Sequence, residues 1–156
     1  MAAAGKFKVY EQAKLNLGKA IFDLTAGTFN LALYLSTSNA NTLSGSAIKA
    51  DLTNEVANAN GYVTGGVALT GVTYTNSAGT ETFTSGNASW TAAGGAITGR
   101  FAVIYKVGTF GGLVNPIICV SLLDTTPADI SVADGQQLQV TINASGIFTL
   151  SGATAD

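Results

Sequence analysis

Histidine is absent from this 156-residue chain, and cysteine occurs only once. These two side chains supply much of the acid–base, nucleophilic and metal-binding chemistry that proteins carry out near neutral pH. Glu55 and Glu81 lie in turn-rich regions without an obvious carboxylate partner, so a paired acid and base for sugar cleavage has no support. We therefore expect a protein that is not an enzyme and that binds no metal ion or cofactor.

The single cysteine also excludes an intrachain disulfide. Cys119 lies within the apolar run 116–123, which favours a small buried hydrophobic side chain. The alternative is a reactive or intermolecular thiol, but apolar burial raises the pKa of a thiol and makes it less reactive. Cys119 is therefore predicted to be a core residue.

Charge is scarce as well. Only 10% of the residues are charged and the net charge is −2, whereas about a quarter of a typical soluble domain is charged.

No apolar run approaches the ~18 residues of a membrane span, and the first residues lack the apolar middle of a secretory signal peptide. We expect neither a nucleic acid nor a membrane as partner. A surface rich in Thr, Ser, Asn and Ala protects poorly against association, which favours an assembly.

Residues 8–24 are predicted to form one amphipathic α-helix. Good helix formers fill the segment, and the helical period places its apolar residues on the side opposite Lys8 and Lys19. Leu15 and Phe22 form a smaller apolar spot beside the polar face. Local cover by loops is the ordinary explanation of this spot, and contact with a neighbouring subunit is the alternative.

The opening of the chain is net basic, whereas the remainder is acidic. Before residue 25, two acidic residues stand against four lysines, which are Lys6, Lys8, Lys14 and Lys19. A solvated face explains these charges, and contact with an acidic surface of another subunit is the sharper hypothesis. Exposed charges of this kind contribute little energy singly and mostly steer encounters.

From residue 28 onward the hydrophobic period is two, and short strands alternate with turns rich in Gly, Asn and Asp. This pattern predicts a mainly β protein, with an antiparallel β-sandwich over 28–150, in a single domain spanning 1–156. The longest strand is 100–107, and we expect it to be central because both of its faces are apolar. Segment 36–60 has no clear period and is predicted to be a long surface loop, of a kind that is often functional or mobile.

Three further features have simple structural explanations. The glycines of 61–66 precede neither a Gly-Lys-Ser/Thr motif nor a helix, so turns explain them better than a phosphate loop. Asp124, Asp129 and Asp134 are evenly spaced, but Asp is a common turn residue, and a calcium site is the less favoured explanation. Trp90 is predicted to be a core anchor rather than a platform for stacking sugars.

An order of motifs runs through most of the chain. It comprises Asn54-Glu55-Val56, Gly61-Tyr62-Val63-Thr64-Gly65-Gly66, Ala88-Ser89-Trp90-Thr91, Arg100-Phe101-Ala102-Val103-Ile104-Tyr105 and Ala133-Asp134-Gly135-Gln136-Gln137-Leu138. This order resembles that of small virion structural proteins of tailed bacteriophages. The resemblance implies a jelly-roll-like β-sandwich that decorates or cements the capsid, is made in the host bacterial cytoplasm and ends on the capsid surface of the virion.

The resemblance predicts a function in which the chain binds across major capsid protein subunits and stabilises the phage head. The expected partners are the major capsid protein and further copies of the chain, as a dimer or trimer. The alternative is a module of the tail or its fibres that binds a host receptor or glycan through Tyr62, Tyr74 and Trp90. Besides segment 36–60, the residues expected to contact the capsid or another subunit are Lys6, Phe7, Lys8, Leu15, Lys19 and Phe22.

Overall fold

The computed structural model describes residues 2–3, 6–124, 126 and 128–152. Strands make up 41% of the structure and helical residues 8%. The helical parts are α1 (Glu11–Gly18) and a 3₁₀ turn (Lys49–Asp51). The strands are β1 (Ala2–Ala3), β2 (Lys8–Val9), β3 (Phe29–Tyr34), β4 (Val67–Ala68), β5 (Thr73–Ser77), β6 (Thr80–Thr84), β7 (Ala88–Thr91), β8 (Ile97–Gly99), β9 (Phe101–Lys106), β10 (Thr109–Phe110), β11 (Leu113–Val114), β12 (Ile117–Leu122), β13 (Ile130–Val132), β14 (Gln137–Thr141) and β15 (Phe148–Ser151).

Five antiparallel strands form the central sheet, in the order β2-β12-β9-β3-β4. Strand β9 lies in its middle and pairs with β3 on one side and β12 on the other, as predicted for the strand at 100–107. Ala102 and Ile104 enter one apolar cluster, the main core, while Val103 and Tyr105 enter a second core on the opposite face. The alternating apolar pattern of this strand reflects a sheet that is buried on both faces.

The main core lies between the central sheet and two smaller sheets, β15-β6-β5 and β1-β14-β7. All pairings are antiparallel except that of β1 with β14. Cys119 and Trp90 are both buried in the main core, which confirms their predicted positions. The mainly β class and the N-terminal helix are confirmed as well, and two sheet layers around one apolar core make an antiparallel sandwich. The jelly-roll order of its strands stays a prediction.

Residues 36–60, which we call the cover loop, close the second core. Apart from the 3₁₀ turn and isolated bridges the loop is irregular, as expected, but Ala40 and Leu52 are buried against the central sheet. The loop is fastened to the start of the helix. The Tyr10 hydroxyl donates to the Ala40 carbonyl at 2.5 Å, and the Glu11 N–H donates to the Leu43 carbonyl at 3.0 Å. The cover loop is therefore one layer of the fold.

The N-terminal helix is shorter than the predicted 8–24. It begins at Glu11 because Lys8 and Val9 are extended and pair with β12. It ends at Gly18, and Ala20 then adopts a φ of 54°, which a right-handed helix does not allow. The helical period that joined Leu15 to Phe22 on one face therefore stops between these two residues.

Lys106, at the end of β9, fastens the segment that follows the helix. Its side chain is 3% exposed, and its Nζ donates to the Asp23 carbonyl at 2.6 Å and lies 3.5 Å from Asp23 Oδ1. The ammonium group also lies 4.7 Å from the ring centre of Phe110 and 5.4 Å from that of Phe29. A buried ammonium group needs such partners to offset its lost hydration. The Asp23 turn is thereby held against the central sheet.

Candidate interaction surface

The structure separates the six residues predicted to contact the capsid or another subunit. Lys6, Lys8 and Lys19 are exposed, as is Leu15, of whose surface 47% is accessible. Phe7 is half-buried and packs against the main core.

Phe22 is the exception among the six. Only 5% of its surface is accessible, and its ring packs edge-on against Phe110 with the ring centres 6.5 Å apart. Leu15 and Phe22 do not form one apolar spot, because the helix ends between them and the chain turns Phe22 inward. Local cover, the ordinary explanation, applies to Phe22 but not to Leu15. Phe22 contributes to the surface only as the wall of a groove.

The cations of the described residues divide into two groups. Three are paired: Lys49 with Glu55, Arg100 with Asp129 at 3.0 Å, and Lys106 with Asp23 at 3.5 Å. The other cations are the four exposed lysines that precede residue 20, and none of their ammonium groups has an ion pair or hydrogen bond within the described part of the chain. Residues 6–25, which we call the opening segment, thus carry all of the unpaired positive charge among the residues that the structure describes. Such a patch attracts and orients an acidic partner.

An apolar groove of about 640 Å³ lies beside the opening segment. Its walls include the buried Phe22 and Leu24, and the exposed Leu150 lies at its rim with 42% of its surface accessible. The remaining lining residues are Val9, Lys14, Leu17, Gly18, Ala20, Asp23, Thr25, Tyr74 and Phe148. Several of these side chains also pack on the main core, so part of the core is accessible to solvent through the groove.

A second, more polar groove of about 480 Å³ lies next to it. Its lining residues are Lys6, Phe7, Thr141, Asn143, Ser145, Gly146, Ile147, Phe148 and Thr149. The two grooves share Phe148 and lie on opposite sides of β15, because Thr149 lines the polar groove and Leu150 the apolar one. Two of the predicted contact residues, Lys6 and Phe7, line the polar groove, and a third, Phe22, lines the apolar one.

Sequence reasoning missed a polar cluster around Glu55. Its Oε1 accepts hydrogen bonds from the Gly65 N–H at 2.5 Å and the Tyr62 hydroxyl at 2.9 Å, and its Oε2 pairs with Lys49. The Tyr62 oxygen in turn accepts the N–H of Leu33 at 3.0 Å. Only 13% of the Glu55 side chain is exposed. Both carboxylate oxygens are engaged, so the cluster fastens the cover loop to β3.

Tyrosine hydroxyls extend this cluster across the central sheet. Tyr105 donates to the Gly65 carbonyl at 2.8 Å, and the Asn30 amide donates to the same carbonyl at 3.2 Å. Burial raises the pKa of Tyr34, Tyr62 and Tyr105 above the ordinary value, so all three stay protonated near neutral pH. Asn30, Leu33 and Tyr105 are far from Glu55 in sequence, and the irregular stretch from Glu55 to Gly65 has no period that signals the contacts within it.

The glycine pair at 65–66 has a structural explanation, as expected. Gly66 has a φ of 72°, and a Cβ built on it would lie 1.8 Å from the Leu31 carbonyl oxygen. Only glycine permits this approach of the turn to β3. The turn prediction for 61–66 is confirmed at this position.

The three evenly spaced aspartates are engaged separately. Asp129 pairs with Arg100, Asp134 accepts the Gly94 N–H at 2.8 Å, and Asp124 accepts the Thr126 N–H at 3.0 Å. Within the described residues, no group of three or more His, Cys, Asp or Glu side chains is placed to hold a metal ion.

The aromatic residues of the receptor-binding alternative are mostly inside the protein. Tyr62 is 1% exposed and Trp90 is 4% exposed, and their ring centres lie 5.9 Å apart in the main core. The receptor-binding alternative needs both rings to be exposed, and this part of it is wrong, whereas burial of Trp90 agrees with its predicted position as a core anchor. Only Tyr74 reaches a groove.

Comparison with known proteins finds no matching family model, no matching curated protein and no matching solved structure. In the part of the chain that is described, no helix is long and apolar enough to cross a lipid bilayer. The candidate functional site is therefore the opening segment, with its unpaired lysines and the two grooves beside it.

Proposed function

We propose that the chain is a non-enzymatic virion structural protein of a tailed bacteriophage, and specifically a capsid decoration protein. It binds across neighbouring major capsid protein subunits and stabilises the head, as a dimer or trimer on the capsid surface. Two things support this proposal: the order of motifs along the sequence, which resembles that of such proteins, and a surface suited to binding another protein.

The observation that carries the proposal is the concentration of unpaired charge and accessible apolar area on one side. The four free lysines all lie in the opening segment, and this segment also lines both grooves. The segment is net basic, since four lysines stand against Glu11 and Asp23. A surface that combines an accessible apolar groove with an excess of one charge is typical of a site for a macromolecular partner. The lysines favour a partner with an acidic surface.

The stabilising mechanism is additive burial. Each apolar Å² removed from water contributes about 25 cal/mol. Each copy contributes a modest binding free energy, and the sum over many symmetric copies strongly opposes expansion of the shell. The unpaired lysines orient the chain during its encounter with an acidic shell surface, while the apolar groove supplies most of the binding energy.

A tail- or fibre-associated module that binds a host receptor or glycan is the second candidate. One observation favours it: the polar groove combines hydroxyl and amide groups with the half-buried rings of Phe7 and Phe148. Such a groove offers both hydrogen bonds and an apolar platform to a sugar. Fewer aromatic side chains are accessible to a sugar than this alternative assumed from the sequence, because Tyr62 and Trp90 are buried.

Separation of purified particles into heads and tails tests the proposal. Quantitative mass spectrometry of each fraction gives the copy number of the chain relative to the major capsid protein. A fixed, high ratio in the head fraction is the expected result. Recovery in the tail fraction alone would replace the decoration function with the receptor-binding one, and absence from both fractions would contradict both.

A further inference from the structure

Two edge strands line the same apolar groove. Among the described strands, β15 pairs only with β6, and β2 pairs only with β12. Val9 of β2 and Leu150 of β15 both line the apolar groove. In the described part of the chain, no strand joins these two edges, so the sandwich is open along this side.

Apolar side chains of the core are accessible through this opening. Phe7, Val9, Leu17, Tyr74 and Phe148 are only partly buried, although all of them pack on the main core. An unpaired strand edge beside accessible apolar side chains is a template for another strand. Strand β15 offers the longer of the two edges, with four residues against two in β2, and three of its four residues are exposed.

The charged side chains around the opening favour binding of one kind of added strand. Lys6 lines the polar groove and Lys14 the apolar groove, while Lys8 is exposed within β2. Asp23 also lines the apolar groove, but its carboxylate lies 3.5 Å from the buried Lys106, so the lysines remain in excess. A second copy in a two-fold symmetric pairing at this edge would bring these lysines close to their own counterparts. Like charges at such a distance disfavour that pairing. An acidic segment from a different protein meets the lysines with opposite charge.

We propose that the free edge of β15 takes up an extended, acidic segment of the partner protein by strand addition. Alternate side chains of a strand point to opposite faces, so apolar side chains of this segment enter the apolar groove and polar ones lie in the polar groove. Acidic side chains of the segment pair with Lys6 and Lys14. The inference rests on the proposed function, in which the segment is an arm of the shell protein.

A charge placed in the apolar groove tests this inference. Leu150→Glu puts a carboxylate at the rim, where 42% of the leucine is already exposed, so folding should be little affected. Val63→Glu is the matched control, because Val63 is 60% exposed and lines neither groove. Binding is measured by co-sedimentation with shells assembled without the chain. We expect about tenfold weaker binding for L150E, equivalent to ~1.4 kcal/mol, and unchanged binding for V63E.

Hydrogen exchange of the Phe148–Ser151 backbone amides distinguishes strand addition from side-chain packing alone. Strand addition slows exchange at the outward-facing amides of β15 in the shell-bound chain. If the wild-type chain binds shells, but L150E binds equally well and exchange in β15 is unchanged, the inference fails and the proposed function stands. If the wild-type chain does not bind shells, both fail. Slowed exchange in β15 that depends on protein concentration without shells would identify a second copy as the occupant and overturn the inference.

Discussion

The cover loop and the opening segment differ in how they use their charged side chains. In the cover loop, Lys49 pairs with Glu55, and Asp51 accepts the N–H groups of Ala47 at 2.7 Å and Ile48 at 3.0 Å. In the opening segment, the lysines have no partner among the described residues. Both regions are irregular for much of their length, and the sequence marked both as candidates for contact with another subunit.

The difference shows how to separate a structural loop from a binding surface. A loop whose polar groups bond to the body of the protein contributes to folding, and binding a partner there would first have to break those bonds. Charges that have no internal partner contribute little to folding and are available to a partner. By this criterion the cover loop is an internal layer, and the opening segment is the side that we propose for docking.

The largest effect is expected at Gly66, in the turn that follows the cover loop. Gly66→Ala combines a left-handed backbone with a Cβ 1.8 Å from the Leu31 carbonyl oxygen. Gly45→Ala is the control, because Gly45 has a φ of 84° and no atom within 4 Å of its added Cβ. The left-handed backbone alone costs about 1–2 kcal/mol, and the clash adds about 1–3 kcal/mol. Urea unfolding should show the larger loss for G66A, and equal losses would contradict the close approach.

A smaller loss of stability is expected when the Glu55 carboxylate is neutralised. Glu55→Gln removes the ion pair with Lys49 and one of the acceptors, which should lower the free energy of unfolding by about 2 kcal/mol. The control is Glu81→Gln, since Glu81 accepts a hydrogen bond from Asn76 at an exposed site. This change should cost less than about 0.5 kcal/mol. Neither variant should change shell binding, and weaker binding by folded E55Q would show that the cover loop takes part in docking.

Removing one lysine of the opening segment should change binding and leave stability unaltered. Lys14→Gln lowers the net charge by one at the rim of the apolar groove, and Asn58→Asp lowers it equally in the exposed part of the cover loop. We expect K14Q to associate with shells about two- to fivefold more slowly at low salt, an effect that added salt removes. N58D should associate at the wild-type rate. Light scattering after rapid mixing measures both rates, and equal slowing in the two variants would mean that net charge alone matters.

The smallest effect concerns pH. Hydrogen bonds from the Ala26 N–H and the Thr25 hydroxyl hold the pKa of Asp23 below its ordinary value of 3.8. Because the folded state has the lower pKa, the ionised carboxylate stabilises the fold above the ordinary pKa, and this contribution is lost as the pH falls through the lowered value. Since 64% of the carboxylate side chain is exposed, the contribution is small.

Asp23→Asn tests this dependence. Urea midpoints of D23N and the wild-type chain should differ at about pH 5 and converge as the pH falls below the ordinary pKa of an aspartate, which is about 3.9. Glu11→Gln, at an exposed position of the same segment, controls for loss of a carboxylate. A wild-type advantage that grows toward acid pH would have the wrong sign for this account.

Features encoded by local pattern were predictable from the sequence. The alternation of 100–107 predicted both the central position of the strand and the division of its side chains between two faces, and the apolar surroundings of Cys119 predicted its burial. The turn glycines were predictable because few residues other than glycine adopt a positive φ without strain.

Features that depend on distant residues meeting were not predictable. Nothing in the sequence links Glu55 to Tyr62 and Gly65 as hydrogen-bond donors, and nothing near Lys106 shows that Asp23 and Phe110 surround it. The helix start was missed because its cause is tertiary: Lys8 and Val9 pair with β12 although their local pattern is compatible with a helix. The cover loop covers the second core through single buried apolar residues. Isolated residues of this kind produce no hydrophobic period in the sequence, so this role was not predictable.

Cryo-electron microscopy of the decorated shell, at a resolution that shows which side of the chain meets the capsid protein, tests the central claim most directly. The account predicts that the opening segment and β15 face the shell, with the four free lysines close to acidic capsid residues and the cover loop pointing away. Contact through the cover loop, with the opening segment exposed to solvent, would contradict it.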